Sequence, residues 1–465
     1  MANTSTNSFQ HGHTMIDWRP EDPQFWKERG HAVATRNLWI SIPNLLLAFS
    51  VWMVWSVVVA KLPAIGFDYT TGQLFWLAAL PGLSGATLRI FYSFMIPIFG
   101  GRLWTTLSSA SLLLPAIGIG MSVQNPDTPY VVFLALALMC GFGGGNFASS
   151  MANIAYFYPK KTKGNALALN AGLGNLGVSV MQFVVPMVIT AGVFGAIGGE
   201  PVTLENGSQL WIQNAGFIWV PFIAISALAA WFGMNDIADA KASFSEQSII
   251  FKRAHNWIMC ILYTGTFGSF IGYSAGFPLL MKTQFPDVNV LSYAFLGPLV
   301  GALSRAATGW ISDKFGGGRV TFWTFLGMII AVWGVLQFLP SEANAAGNFW
   351  GFFGCFMALF FLTGVGNAST FQMIPTIMAH EVPLHEPRLK GDDLRKQIER
   401  ESAAIIAFTS AIAAYGAFFI PKAYGTSISM TGAPNGALWS FLGFYVVCVA
   451  ITWIFYSRKN APVSC

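Results

Sequence analysis

The chain has 465 residues, of which 54% are hydrophobic and only 10% charged, and its formal net charge is +5. A soluble domain carries about 25% charged residues. An apolar excess of this size excludes an ordinary soluble protein and points to a polytopic membrane protein.

Residues 1–37 are polar and lack the short apolar core and small-residue cleavage site of a signal peptide. They are expected to stay in place as a cytoplasmic segment. Within them the stretch DWRPEDPQFWKERG puts Trp18, Phe25 and Trp26 just before the first apolar run, and an interfacial helix and an ordinary polar tail both fit it. Apolar runs able to cross about 30 Å of hydrocarbon then recur near 38–60, 73–99, 103–122, 129–157, 164–190, 215–235, 256–281, 291–312, 320–339, 347–377, 402–424 and 435–457. The pattern predicts an all-α chain of twelve transmembrane helices. A polar joint at 236–255 divides it into two six-helix bundles, 38–235 and 256–465, the second ending in a short cytoplasmic tail.

The basic residues set the orientation, because Lys and Arg accumulate on the cytoplasmic side. With both termini cytoplasmic, twenty of the 25 basic residues fall there, including Arg102, Lys160, Lys161, Lys163, Lys241, Lys252, Arg253 and the run from Arg388 to Arg400. Only Lys61, Lys282 and Lys422 fall outside, and the remaining two, Arg89 and Arg305, lie within spans. The net charge thus reports topology, and no nucleic-acid partner is expected. Cys140, Cys260, Cys355, Cys448 and Cys465 have no paired spacing and read as small apolar fillers rather than a disulfide or metal framework. The NGS at Asn206 reads as a chance sequon. No cofactor is implied.

Residues 81–102, PGLSGATLRIFYSFMIPIFGGR, repeat in residues 297–319, GPLVGALSRAATGWISDKFGGGR, at an offset of 216. Gly85 aligns with Gly301, Arg89 with Arg305, and Gly100 with Gly316. A second pair, GGNFASSM from Gly144 and VGNASTFQ from Val365, aligns without gaps, and Phe49 stands opposite Phe267. Parallel repeats of this kind place a binding site at the midplane between the halves. The segment GWISDKFGGGR also resembles the cytoplasmic loop motif of the major facilitator superfamily, with Gly309, Asp313 and Arg319 as its motif positions. The first-half copy keeps FGGR but has Pro97 and Ile98 where an acid belongs.

A charge at mid-bilayer costs at least about 2.5–3.5 kcal/mol and usually faces a partner in a polar cavity. All twenty acidic residues fall in the tail, the loops or the helix ends, and none at the depth expected for Arg89 or Arg305. Two readings remain: each arginine snorkels or binds carbonyls freed near Pro81, Gly82, Gly297 and Pro298, or the pair holds an anion. Guanidinium forks match a small planar oxyanion and stay charged at any relevant pH. Asn170 and Asn175 in the glycine-rich fifth span offer amide donors, although helix packing alone also accounts for the glycines. Tyr263 and Phe267 share a face four residues apart and suit a weakly hydrated anion through their ring edges; plain packing is the other reading.

RNLWIS, CGFGGGNFASSMANI, LNAGLGNLGVSVMQ, TFGSFIG with SAGF, KTQFPDV, STFQMI and FFIPKA resemble the nitrate/nitrite porter family of the major facilitator superfamily, in its respiratory, NarK-like antiporter branch. The likeness runs from about Asp17 to the end of the twelfth span. It implies that Arg89 and Arg305 bind nitrate or nitrite, that Phe147 and Phe267 sandwich the ion, and that Asn175 and Tyr263 hydrogen-bond to it. Phe49, Asn170, Gly172 and Gly416 are secondary candidates. The glycine-rich parts of spans 5 and 11 would be signature segments that permit rocking. Departures from that pattern are Asn165, Ala168 and Ala171 in span 5, and Ala407, Ala413 and Ala417 in span 11, where glycine is expected.

No intramembrane Asp, Glu or His is offered as a proton carrier, His11, His13, His31, His255, His380 and His385 all falling in the tail, the loops or at a helix edge. Exchange of one monovalent anion for another is therefore expected, with nitrate/proton symport or another small oxyanion as the alternatives. No nucleophile–base pair, metal cluster or phosphate loop suggests an enzyme. The polar segment 379–401 reads as a solvated cytoplasmic loop. The chain is expected to work as a monomer in the cytoplasmic membrane.

Overall fold

The computed structural model describes residues 10–238, 248–342, 344–463 and 465. The first nine residues and Asp239, Lys241 and Glu246 of the central joint lie outside the described residues. Eleven helices among the described ones are long and apolar enough to cross a membrane: α1 Pro23–Val58, α2 Thr71–Tyr92, α3 Gly101–Ser122, α4 Tyr130–Phe157, α5 Lys160–Val188, α6 Asn214–Gly233, α7 Ala254–Gln284, α9 Gly317–Phe338, α10 Phe349–His385, α11 Gly391–Thr431 and α12 Asn435–Ser457. The remaining span, α8, is three pieces, Leu291–Ala294, Leu296–Ala307 and Gly309–Phe315. It breaks at Thr308, whose backbone leaves the helical region (φ −109°, ψ 3°) while its hydroxyl donates back to the Ser304 carbonyl at 2.7 Å.

Two differences from the apolar pattern concern helix ends. α10 runs on to His385 and α11 begins at Gly391, so the segment 379–401 is mostly helix, with only residues 386–390 irregular. Hydropathy misses these turns because they are charged, yet Asp392 and Asp393 favour the positive end of α11. Arg395 adds pairs to Asp392 at 3.1 Å and Glu399 at 3.9 Å. The chain before α1 is also built into the fold rather than left as a tail. The Trp18 indole N–H donates to the Tyr156 carbonyl at 3.1 Å, and the ring meets Phe157 edge-on at 5.4 Å. Strand β2, Thr14–Met15, pairs antiparallel with β1, Gln10–His11, and parallel with Asp236–Ile237; a second antiparallel pair joins Val202–Thr203 to Gln209–Leu210.

The chain forms two compact units. One contains the described residues of Met1–Val54, Ala64–Gly66 and Ser84–Ser243; the other contains Trp55–Pro63, Phe67–Leu83 and the described residues of Phe244–Cys465. The first contains a buried apolar cluster that includes Ala34, Leu38, Ile42, Ile154, Phe157 and Tyr158. In the second, the part of α2 up to Leu83 lies along α11, and Phe75 sits 6.2 Å from Tyr424, ring to ring.

The repeat is visible in the backbone. Gly100 (φ 83°) and Gly316 (φ 88°) each end one helix and open the next in a conformation that L side chains rarely adopt. After Gly100, the Arg102 N–H donates to Asp236 Oδ1 at 2.8 Å, and Arg102 Nε lies 3.5 Å from Asp236 Oδ2. The acid missing from the first-half motif thus arrives from the segment after α6. After Gly316, at the position equivalent to Arg102, the Gly318 N–H donates to the Cys465 carbonyl at 3.0 Å.

Candidate functional site

In the first unit, Arg89 is 1% exposed on α2. Close helix contact puts it there: a Cβ on Gly144 of α4 would come 2.7 Å from Gly85 Cα and 2.6 Å from the Trp52 ring. Glycine at both positions therefore lets α2 and α4 touch backbone to backbone, with the Trp52 indole wedged beside them. Arg89 Nε donates to the Gly144 carbonyl at 3.0 Å. The guanidinium carbon lies 4.7 Å from the Phe147 ring centroid and 5.3 Å from that of Trp52. Phe49 meets Phe147 edge-on at 6.1 Å. Carbonyl binding, one of the two readings of a buried arginine, thus holds for Nε, and that carbonyl belongs to α4.

On α5, Asn175 is buried, and its Oδ1 has no hydrogen-bond partner among the described residues. Asn170 is committed to packing: its amide donates to Ser150 Oγ at 2.8 Å, tying α5 to α4. The helix-5 glycines divide in the same way. Gly177 is pressed against α1, where its carbonyl accepts from Ser50 Oγ at 2.9 Å, whereas a Cβ on Gly172 would meet nothing within 4 Å.

In the second unit, Arg305 is half-buried on α8 with its guanidinium carbon 5.0 Å from the Phe371 ring centroid. It makes no ion pair, and its Nη1 is buried with no hydrogen-bond partner, among the described residues. Phe371 stacks on Tyr263 (4.6 Å, 19°), which stacks on Phe267 (5.3 Å, 9°). The three rings form a column beside the arginine. α7 carries a π-helical turn at Thr264–Gly268, between Tyr263 and Ser269. Such turns recur at functional sites, and this one sets Phe267 flat against Tyr263. Gly416 of α11 supports the same turn: a Cβ there would fall 2.5 Å from Gly268 Cα.

Residue patterning missed Trp52 and Phe371. Trp52 is three residues from Phe49 in an apolar helix and reads as packing. Phe371 lies one turn beyond Ala368, the residue that the gap-free repeat sets opposite Phe147, so the aromatic seat is kept but shifted along its helix. The loop-motif residues stand apart from this chemistry. Gly309 opens the last piece of α8, while Asp313 and Arg319 are exposed and make no ion pair among the described residues.

The missing glycines of α5 and α11 are explained by where close contact falls. Asn165 and Ala168 are exposed, and no neighbour crowds them. On α11, Ala417 and Ala413 are fully buried, but the closely approaching partners are themselves glycines: the Ala417 carbonyl faces Gly82, and the Ala413 carbonyl would lie 2.8 Å from a Cβ on Gly268. Ala171 is buried and Ala407 half-buried, and nothing in the structure singles out a contact that glycine would relieve there.

Twelve membrane-length segments with an internal repeat, and an arginine on aromatic rings in each unit, describe a membrane carrier. The family model of the Major Facilitator Superfamily matches residues 40–388. The chain is 52% identical over 460 residues to the nitrate/nitrite transporter NarU of Salmonella typhimurium, covering 98% of this chain and 99% of that one. It is 41% identical over 464 residues to the probable nitrate/nitrite antiporter NarK2 of Thermus thermophilus, covering 98% and 99%. The fold matches the xylose transporter XylE from E. coli in a partially occluded inward-open conformation, with TM-score 0.64 at 12% identity, over 92% of this chain and 100% of that one. The chain belongs to the major facilitator superfamily and, within it, to the nitrate/nitrite porter family.

Proposed function

We propose that this protein exchanges nitrate for nitrite across the bacterial cytoplasmic membrane by alternating access, with both termini cytoplasmic. The observation that carries the reading is Arg305: an intramembrane guanidinium beside a column of three stacked rings, with a buried Nη1 that has no protein acceptor among the described residues. Its repeat equivalent, Arg89, is fully buried against Phe147 and Trp52. Full-length identity of 52% to a protein named a nitrate/nitrite transporter supports the choice of anion.

In this reading Arg89 and Arg305 bind the ion's oxygens, Phe147 and Phe267 flank it, and Asn175 and Tyr263 complete its hydrogen bonds. The halves 38–235 and 256–465 rock around it as a monomer, with no catalytic step. An unloaded carrier would have to close around two desolvated cations, at several kcal/mol each. A bound monovalent anion offsets part of that charge, so reorientation favours the loaded form and inward movement becomes tied to outward movement. Uptake of labelled nitrate into nitrite-loaded proteoliposomes tests the substrate. Excess unlabelled nitrite should suppress it and chloride should not; equal suppression by chloride would overturn the assignment.

A further inference from the structure

Of the basic residues, only Lys61, Lys282 and Lys422 fall on the face that the charge distribution places outside. Lys422 is occupied: it donates to Thr426 Oγ1 at 3.1 Å and lies 4.6 Å from the Trp76 ring centroid. The other two line one cavity of about 260 Å³ within the second unit, walled by Ala60 and by the turn from Pro286 to Leu291. Lys282 donates to the Pro286 carbonyl at 2.8 Å, a neutral acceptor that orients the ammonium without cancelling its charge. Neither lysine makes an ion pair among the described residues, although Asp287 is also on the cavity wall. Burial first, and the charge of Lys282 second, hold the Lys61 ammonium below its ordinary pKa.

A cavity lined by two lysines, Lys61 half-buried and Lys282 exposed, favours an anion between them. We propose that the Lys61–Lys282 cavity is an outer capture site for small monovalent oxyanions, feeding the carrier with nitrate or nitrite from outside; this rests on the transport function and orientation proposed above. The choice of lysine fits capture rather than firm binding. An ammonium is a compact, strongly hydrated point charge without the planar fork that grips an oxyanion bidentately, so a captured ion leaves readily. A basic recess also raises the local anion concentration, and that effect fades with ionic strength.

The test is external and internal KM for nitrate in oriented proteoliposomes, for wild type, Lys61→Gln, Lys282→Gln, the double variant and the Lys→Arg counterparts, in low and high potassium gluconate. External KM should rise about 2-fold in each Gln single variant and about 5-fold in the double, with Vmax and internal KM unchanged, and the salt dependence of external KM should flatten. The Arg variants should stay near wild type. A double variant with wild-type external KM and salt dependence would overturn the proposal, as would an equal change in internal KM or equal losses in the Arg variants. If the double variant does not fold, the single variants decide by the same criteria. Wild-type protein that moves no nitrate would instead overturn the transport reading.

Discussion

Each candidate arginine rests on aromatic rings, and the two seats are built differently. Arg89 has its Nε fixed by the Gly144 carbonyl and lies over the rings of Phe147 and Trp52, while Arg305 lies over the single ring of Phe371 and has a buried Nη1 with no protein acceptor among the described residues. Lysine has the charge but neither the planar fork nor the stacking surface. Arg305→Lys and Arg89→Lys should therefore each lower nitrate uptake by at least about 100-fold, with the purified variants keeping the wild-type elution profile and helical circular dichroism. Retained uptake in both would favour the carbonyl-bound, purely structural role. The arginines themselves were legible because a permanent charge inside an apolar run has no bland equivalent, and the repeat made them a pair. Their ring partners Trp52 and Phe371 were not, since aromatic residues in an apolar helix look alike whether they face a charge or a neighbouring leucine.

Glycine decides which helices touch. Gly144→Ala would press a methyl against Gly85 Cα and the Trp52 ring, both within 3 Å. Overpacking at such a contact costs about 1–3 kcal/mol, so the melting temperature in detergent should fall. Gly172→Ala meets nothing within 4 Å and gains about 0.5–1 kcal/mol of helix propensity, so its melting temperature should hold or rise. The residue that caps α7 is joined to α11 by a buried bidentate pair: Arg253 Nε to Glu401 Oε2 at 2.8 Å and Arg253 Nη2 to Glu401 Oε1 at 2.9 Å. Gln397 donates to the same carboxylate at 2.9 Å. The Glu401 pair raises the guanidinium's already high pKa, so Arg253 stays charged. Glu401→Ala leaves that charge buried without its hydrogen-bonded partner and should cost about 3–5 kcal/mol, much of it recovered in the double variant Arg253→Met/Glu401→Leu; thermal unfolding of the two variants checks this. Hydropathy gave the spans because twenty apolar residues suffice for a crossing. It did not give the charged turns beyond them, nor the break at Thr308, where a local hydrogen bond and not apolarity decides the backbone.

For the whole molecule, a carrier with two intramembrane arginines, Arg89 buried and Arg305 half-buried, is expected to reorient efficiently only when loaded. The described spans hold carboxylates such as Glu381 in the last turns of α10 and Glu401 inside α11, and Glu401 is engaged by Arg253. The repeat, the arginines and the family likeness are all legible in the sequence; the coupling follows from charge. It is tested most directly by labelled nitrate uptake into proteoliposomes loaded with nitrite or with an inert buffer, each with and without an imposed inward proton gradient. Fast uptake only into nitrite-loaded vesicles, indifferent to the gradient, is the expected result. Strong uptake into empty vesicles that follows the proton gradient would contradict exchange and establish symport.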